Sequence, residues 1–374
     1  MEQVYREKSG CSGCGACAYA CPAGAIAMKA DEEGFLYPVI RQELCLDCGA
    51  CARICPFQAK GHGKHEEEPD CYVAKHRQAA ALAASTSGGA FTALSDAALS
   101  QGGAVYGVVF DETFRAVHRR AETGEERDPM RFSKYVQSDL GRTFAQVKAD
   151  LLEDRTVLFT GCPCQNAGLQ AYLGPLARAR QLICCDVICY GVPSPRAWEE
   201  YKALLERERG GTLQYVSFRS KALGWSRQNS NELFQYRTSA MEANGWDDRF
   251  YRLFFQNRAV IRPSCGQCPY TDSRRCTDLT IADYWGVERY APRLYDSRGV
   301  SLVLASTSKG KRLLAAAAPQ LWLEERPLEE ALAQQGKLGE PVKLPENRRE
   351  FWRILDEMGM ANAMKWALEE RERR

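Results

Sequence analysis

Two runs of cysteine share one spacing. Cys11, Cys14, Cys17 and Cys21 precede Pro22; Cys45, Cys48, Cys51 and Cys55 precede Pro56. Three thiolates at three-residue intervals wrap one face of an iron–sulfur cubane. In a two-cubane module the fourth Cys of each run, the one before Pro, reaches across to the other cluster. The spacing therefore assigns Cys11, Cys14, Cys17 and Cys55 to one [4Fe-4S] cluster. Cys45, Cys48, Cys51 and Cys21 take the second. Gly13, Gly15 and Gly49 let the backbone approach the sulfides without a Cβ clash. Zinc would account for one four-Cys run but not for two with matching Cys-Pro ends.

Eight cysteines so committed leave nine of the 17. Cys184 and Cys185 fall in an apolar strand and read as core; Cys71 stands alone and reads as structural. Cys162, Cys164, Cys189, Cys265, Cys268 and Cys276 lie at loop ends. Cys265-x-x-Cys268 is half a metal site, and four of these six could close a third [4Fe-4S] cluster. A zinc knuckle or scattered free thiols are the alternatives. Ser85-Thr86-Ser87-Gly88-Gly89 precedes a helical stretch. Its hydroxyls and free N–H groups suit an anion or phosphate, or else form an ordinary cap. His62 and His65 sit in a polar stretch and read as linker residues rather than ligands.

Around these residues, 1–60 form the dicluster unit, with short strands at Ala25–Met28 and Leu36–Ile40. Residues 61–70 are a Gly-bearing linker. From Cys71 the pattern alternates. Strands are expected at Cys71–Lys75, Gly103–Phe110, Thr156–Thr160, Leu182–Ile188, Tyr215–Arg219, Leu279–Ala282 and Ser301–Ala305. Helices are expected at Ala90–Leu99, 142–153, 166–173 and Lys309–Ala317. Residues 111–130 read as a hairpin or loop, and 325–349 as charged and poorly patterned. Strand–helix–strand order predicts βαβ units and a parallel sheet, with Cys164 and Cys189 just beyond neighbouring strands. A C-terminal helix over 346–374 places Phe351, Ile354, Leu355 and Met358 on one face. No G-x-G-x-x-G and no P-loop occurs, so neither a Rossmann nicotinamide site nor a P-loop site is indicated.

The bulk numbers bound the rest. The chain has 374 residues, 45% hydrophobic and 26% charged, which allows two or three globular domains. A net charge of +2 gives no argument for nucleic acid or an anionic membrane. No run is long enough to span a bilayer, and the first 20 residues lack an apolar signal segment. Cysteine content lies below that of disulfide scaffolds, so a reduced cytoplasm, in an anaerobic host, is the expected setting.

Taken together, several stretches resemble the β-subunit family of coenzyme F420-reducing hydrogenase and F420 dehydrogenase. These are Ser85–Phe91, Ser133–Ser138, Gly161-Cys-Pro-Cys-Gln165, Cys189–Pro195, Ser217–Lys221, Arg262–Cys268 and Asp278–Gly286. The resemblance covers nearly the whole chain and implies a flavin, FAD or FMN, beside an iron–sulfur cluster. It implies Cys164, Cys189, Cys265 and Cys268 as ligands of the third cluster. It places Ser85, Thr86, Ser87, Gly88, Gly89, Lys134, Tyr135, Gln137 and Ser138 at the flavin. Three positions depart from the family pattern: Tyr190 replaces a usual His, Cys162 a usual Thr or Ser, and Cys276 is additional.

The expected fold is an α+β ferredoxin-like dicluster domain followed by an α/β flavin- and iron–sulfur-binding domain over 71–345. The expected function is an oxidoreductase relaying electrons from ferredoxin or another low-potential donor, through the clusters, to a flavin that reduces a small molecule. Catalytic candidates are Tyr190, Lys221 and Arg219. Arg219, Lys221 and Arg262 are candidates for an anionic substrate or the flavin phosphates, with salt bridging as the alternative. Two other readings stand beside this one: an electron-transfer subunit docking on a partner without its own substrate, and a coenzyme F420 oxidoreductase. A homo-oligomer is compatible with either.

Overall fold

The computed structural model describes residues 4–59, 63–221, 224–226, 231–236, 240–244 and 247–372. His62 lies outside the described residues. Strands β1 (Ile26–Ala30) and β2 (Leu36–Ile40) form an antiparallel hairpin between the two Cys runs. Each run contributes one short helix, Ala16–Tyr19 and Ala50–Arg53, each entered through a glycine in the left-handed region.

The body is one eight-stranded sheet. Its strands are β3 (Asp70–His76), β4 (Ala104–Phe110), β5 (Ala116–Ala121), β6 (Val157–Gly161), β7 (Leu182–Val187), β11 (Leu279–Asp283), β12 (Ser301–Ala305) and β13 (Leu321–Arg326), in the order β13-β3-β12-β11-β7-β6-β4-β5. A separate three-stranded sheet holds β8 (Leu213–Ser220), β9 (Asn231–Tyr236) and β10 (Ala240–Asn244).

Only β4, β6, β7 and β11 run parallel, so the expected parallel sheet is a parallel centre with antiparallel flanks. The centre is apolar on both faces: β7 reads Leu-Ile-Cys-Cys, and all four side chains are buried, as a strand covered on both faces requires. Helix Ala90–Leu99 covers one face, with Ala93, Leu94, Ala97 and Ala98 in the core beside Leu158 and Ile183. On the other face, helices Thr143–Leu152 and Pro163–Leu173 bury Phe144, Val147 and Leu169 against Tyr106 and Phe159.

Three expectations need correction. The stretch after 325 is patterned: β13 reaches Arg326, and a helix follows over Leu328–Gln334. The tail is two helices, Arg348–Met358 and Met360–Glu372, broken at Gly359. Residues 63–70 are docked rather than loose. Lys64 pairs with Asp272 at 2.9 Å, and His65 Nε2 lies 3.0 Å from the Thr277 carbonyl.

Candidate functional site

The crossed assignment of the first eight cysteines has a spatial counterpart. Cys11, Cys14, Cys17 and Cys55 line one cavity, with Pro56, Tyr5 and Met28. Cys21, Cys45, Cys48 and Cys51 line another, with Ile26, Ile40 and Leu46. Each fourth Cys sits in the other run's cavity. Both donor sets are all thiol. Among the described residues no three Cys, His, Asp or Glu side chains close on a single metal ion. Four thiols spread around a cavity fit a cubane, whereas a structural zinc site is closed tightly by its four ligands.

The first cavity faces the large sheet. Gly168, on helix Pro163–Leu173, lies against Cys14; a Cβ there would come within 2.7 Å of Cys14 Cβ and 2.9 Å of its sulfur. Cys164 is one turn earlier on the same helix face. Burial raises its thiol pKa well above the ordinary value, and the charges of Cys268, Cys189, Cys265 and Cys14 add to this. A third thiol group therefore lies about one helical turn, 5.4 Å of rise, from the first cavity.

Cys162 and Cys164 follow β6, and Cys189 follows β7, its neighbour in the sheet. These are the carboxyl ends of parallel strands, where α/β sheets hold their sites. Cys265 comes from a distant turn, Pro263–Gln267. It is drawn in because residues 192–194 zip to 260–262: Ser194 N–H donates to Val260 O at 2.9 Å and Arg262 N–H to Val192 O at 3.0 Å. Burial pushes Cys265 up to about 12, with Cys189 and Cys268 adding. It pushes Cys268 up to about 11, with Cys189 adding. Cys164, Cys189, Cys265 and Cys268 are thus together.

Cys162 is with them. Its sulfur lies 3.9 Å from that of Cys189. This contact holds Cys189 below the ordinary thiol value and pushes Cys162 above it. Cys276 packs on Tyr270 and Ala167 in a cluster that Cys164 and Cys268 also border, with its sulfur donating to Pro163 O at 3.9 Å.

The segments expected at the flavin divide into two groups. Thr86 Oγ1 accepts the Ser133 N–H at 2.9 Å, and Lys221 Nζ donates to Leu82 O and Ser87 O at 2.8 and 2.7 Å, so these three stretches are joined. Gln137 and Ser138 face the cysteine loops instead. Gln137 Nε2 donates to Ser12 O at 3.1 Å. Ser138 Oγ lies 3.1 Å from His118 Nδ1 and accepts from Gln165 Nε2 at 3.0 Å. Gln165 Oε1 in turn accepts the Cys162 N–H at 2.9 Å. Burial lowers His118 to about 4, so this buried ring is neutral.

The hydroxyls of the Ser85–Gly89 loop serve the protein itself. Ser85 Oγ donates to Ala81 O at 2.7 Å and Ser87 Oγ to Val300 O at 2.9 Å. At Gly88 a Cβ would meet Ser301 N at 2.3 Å, so strand packing alone requires this glycine. Two cations lie beside the loop, Arg131 and Lys134. Arg131 pairs with Asp128 through Nη2 at 2.7 Å, but its Nε is buried with no hydrogen-bond partner. Lys134 is half-buried, its Nζ donating to Pro129 O, and burial lowers it to about 7. Sequence reasoning missed Arg131, His118 and Gln165; Gln165 stood inside a quoted motif, while Arg131 carried no signal.

The catalytic candidates lie along one wall. Arg219 pairs with Asp283 at 3.1 Å and donates to Tyr135 Oη at 3.4 Å. Trp225 Nε1 donates to the other Asp283 oxygen at 2.6 Å, and its ring stacks on Trp285 at 4.8 Å. Salt bridging, rather than a free anion clamp, is therefore the role seen for Arg219. Tyr190 accepts from Arg258 Nη2 at 3.0 Å and packs on Phe254 and Phe255, which also pack on Tyr135. Arg258 has φ 71°, a left-handed backbone rare outside glycine, after a π-turn over Leu253–Asn257. Arg262 is fully buried against the Cys11 loop, its Nε donating to Cys11 O at 2.9 Å.

Residues 154–331 match the family model for the C terminus of the coenzyme F420 hydrogenase/dehydrogenase beta subunit. Residues 10–59 match the 4Fe-4S dicluster domain. The chain carries the C-terminal domain of the F420 hydrogenase/dehydrogenase beta-subunit family behind a 4Fe-4S dicluster domain. One similar solved structure is a chain of the F420-reducing [NiFe] hydrogenase complex from Methanosarcina barkeri. It is 16% identical, covers 75% of this chain and 97% of its own, and has a TM-score of 0.49. No curated protein matches. The beta-subunit domain match spans Cys162, Cys164, Cys189, Cys265 and Cys268, and the dicluster match spans all eight N-terminal cysteines. Among the described residues no helix is long and apolar enough to cross a membrane.

Proposed function

We propose that the chain is a flavin-dependent iron–sulfur oxidoreductase, with the three thiol groups as a relay. The observation that carries this is their alignment: one cavity opens at the surface beside Cys48, the next backs onto Gly168, and Cys164 lies one turn further along that helix. Bound clusters supply one-electron transfer, and a flavin converts between one- and two-electron chemistry.

The protein's own groups do the rest. Cys11, Cys14, Cys17 and Cys55 hold the inner cluster, and Cys21, Cys45, Cys48 and Cys51 the outer one. Cys164, Cys189, Cys265 and Cys268 hold the third, with Cys162 hydrogen-bonded to Cys189. Arg131 and Lys134 bind the flavin phosphates; the unpartnered Nε–H of Arg131 and the half-buried amine of Lys134, protonated below about pH 7, suit an anion. Lys221, lowered to about 7 by burial with Asp283 opposing, holds a proton it can give up near neutral pH. Tyr190, fixed by Arg258, is a second proton donor, through its hydroxyl. The aromatic wall of Tyr135, Phe254 and Phe255 excludes water.

The docking reading has one observation in its favour: Val39, Leu44 and Leu46 are exposed around the outer cavity, at 41%, 40% and 68%. A protein donor would meet the relay there. The F420 reading rests on the family match alone.

Anaerobic purification with iron, sulfide and flavin analysis tests the reading. We expect about twelve irons, four for each of three cubanes, and one flavin. Arg131→Ala and Lys134→Ala should each lower flavin content at least about tenfold, as loss of a charge-assisted phosphate contact implies, with iron unchanged. Flavin-free native protein, or variants that keep their flavin, would remove the flavin from the proposal.

A further inference from the structure

Arg262 is a buried cation with no anion. Its side chain is fully inaccessible. Nε donates to Cys11 O at 2.9 Å, Nη1 to Gln137 Oε1 at 2.9 Å and Nη2 to Leu36 O at 3.0 Å. Nη2 also lies 3.9 Å from Cys11 Sγ. Its guanidinium sits over the rings of Tyr37 and Phe35, at 4.2 and 5.2 Å. Among the described residues no carboxylate is in ion-pair contact with it. Its neighbours differ: buried Arg275 pairs with Asp186 at 3.2 Å, and buried Arg219 with Asp283 at 3.1 Å.

A charge removed from water without a partner is strongly unfavourable. Donors aimed at neutral acceptors and one sulfur do not restore what the charge loses. The missing anion is therefore one that side chains do not supply. A cubane bound by four thiolates carries net negative charge, and the atom of that site nearest the guanidinium is Cys11 Sγ.

We infer that Arg262 is the counter-cation of the cluster held by Cys11, Cys14, Cys17 and Cys55, and that it raises that cluster's reduction potential above that of the outer one. A nearby positive charge favours the more negative, reduced state. The outer cluster's counterpart is weaker: Arg53 Nη1 donates to Cys48 O at 2.9 Å, but that side chain is exposed and water screens its charge, whereas Arg262 is buried. The asymmetry draws electrons inward, toward Cys164. Arg262 acts as a positioning residue as well, since it ties the Cys11 loop to Leu36, to Gln137 and, through its own backbone, to the turn bearing Cys265.

The inference rests on the proposed ligand sets, which iron analysis reads separately from the potential. The test is an EPR-monitored redox titration of the full-length protein, the inner cluster's signal being the one absent from Cys14→Ala. In Arg262→Gln, with iron retained, the inner cluster's reduced-to-oxidised ratio at fixed potential should fall at least about tenfold, about 59 mV for a one-electron couple. The outer cluster should not move. An unchanged inner potential, or an equal shift of both clusters, overturns the inference. If Arg262→Gln loses its inner cluster, Arg262→Lys is read instead. It keeps the charge but not the forked bonding, so a full iron content and a ratio within about threefold of native, under half of that 59 mV, support the charge role. Iron loss or a tenfold fall in Arg262→Lys overturns it in favour of a hydrogen-bonding clamp.

Discussion

Cys14 and Cys48 hold the same place, the second thiol of three, in their two runs. Cys14 is 8% exposed, and Gly168 and Arg262 sit beside its loop. Cys48 is exposed, with Leu46 68% exposed two residues away. One motif thus makes two sites whose surroundings differ because of chain that comes more than 100 residues later. Spacing decides which thiols share a cluster. Distant packing decides which cluster is buried, which meets solvent, and so which end of the relay each serves.

The largest effect that would break this comparison is on electron transfer. Cys14→Ala and Cys48→Ala should each lower iron by up to about four per chain if the whole cubane is lost. Only Cys14→Ala should also cut the path to Cys164; flavin reduction by a small diffusing reductant should slow at least about hundredfold there. With the same reductant Cys48→Ala should stay within a few-fold of native, because the inner cavity is intact. Stopped-flow reduction of matched samples reads the difference. Equal slowing would show that the inner and outer sites are not in series.

A smaller effect sharpens the inward end. Cys164→Ala, Cys189→Ala, Cys265→Ala and Cys268→Ala should each remove up to about four irons while the two N-terminal clusters keep their EPR signals. Cys276→Ala should keep full iron, because its sulfur faces Tyr270 and Pro163. Cys162 is the more informative control. Its sulfur touches that of Cys189, so Cys162→Ala should retain iron but change the third cluster's spectrum. Iron loss in Cys162→Ala with retention in Cys164→Ala would exchange the two ligands.

How much of this could be read beforehand follows from where each interaction lives. The cysteines that line the two N-terminal cavities are close in sequence, so the crossing of each run's fourth Cys into the other cavity was legible from spacing. Helix Ala90–Leu99 and strands Leu36–Ile40 and Ser301–Ala305 have the bounds their patterns suggested. Strand β13, Leu-Trp-Leu-Glu-Glu-Arg, was not legible because an edge strand carries charge to avoid pairing with other chains. Helix Pro195–Arg209 was missed although Ser194 caps it and Trp198, Tyr201 and Leu205 keep helical spacing. The gathering of Cys162, Cys189 and Cys265 depends on loops 192–194 and 260–262 pairing across 68 residues, which no local pattern encodes. Gln137 illustrates the same limit: its neighbour Val136 packs in the core, but its own partners are Ser12 and Arg262, each 125 residues away.

The inward half also holds a half-buried cation, Lys221, which differs from Arg262 in being able to lose its charge. Lys221 is lowered from 10.5 to about 7, chiefly by burial. Below pH 7 folded and unfolded chains both carry its proton, so the folded state bears the whole desolvation penalty. Between about pH 7 and 10.5 only the unfolded chain keeps the proton, and stability rises with pH across that window. Lys221→Met removes the ionisable group. It also removes the bonds to Leu82 O and Ser87 O, which adds a penalty present at every pH. The informative quantity is therefore the slope: the variant's melting midpoint relative to native should be most favourable near pH 6 and decline steadily toward pH 10. Parallel curves over that range would mean that Lys221 stays charged in the fold, held by the two carbonyls and Asp283. It would then serve as a fixed cation like Arg262 rather than as a proton donor.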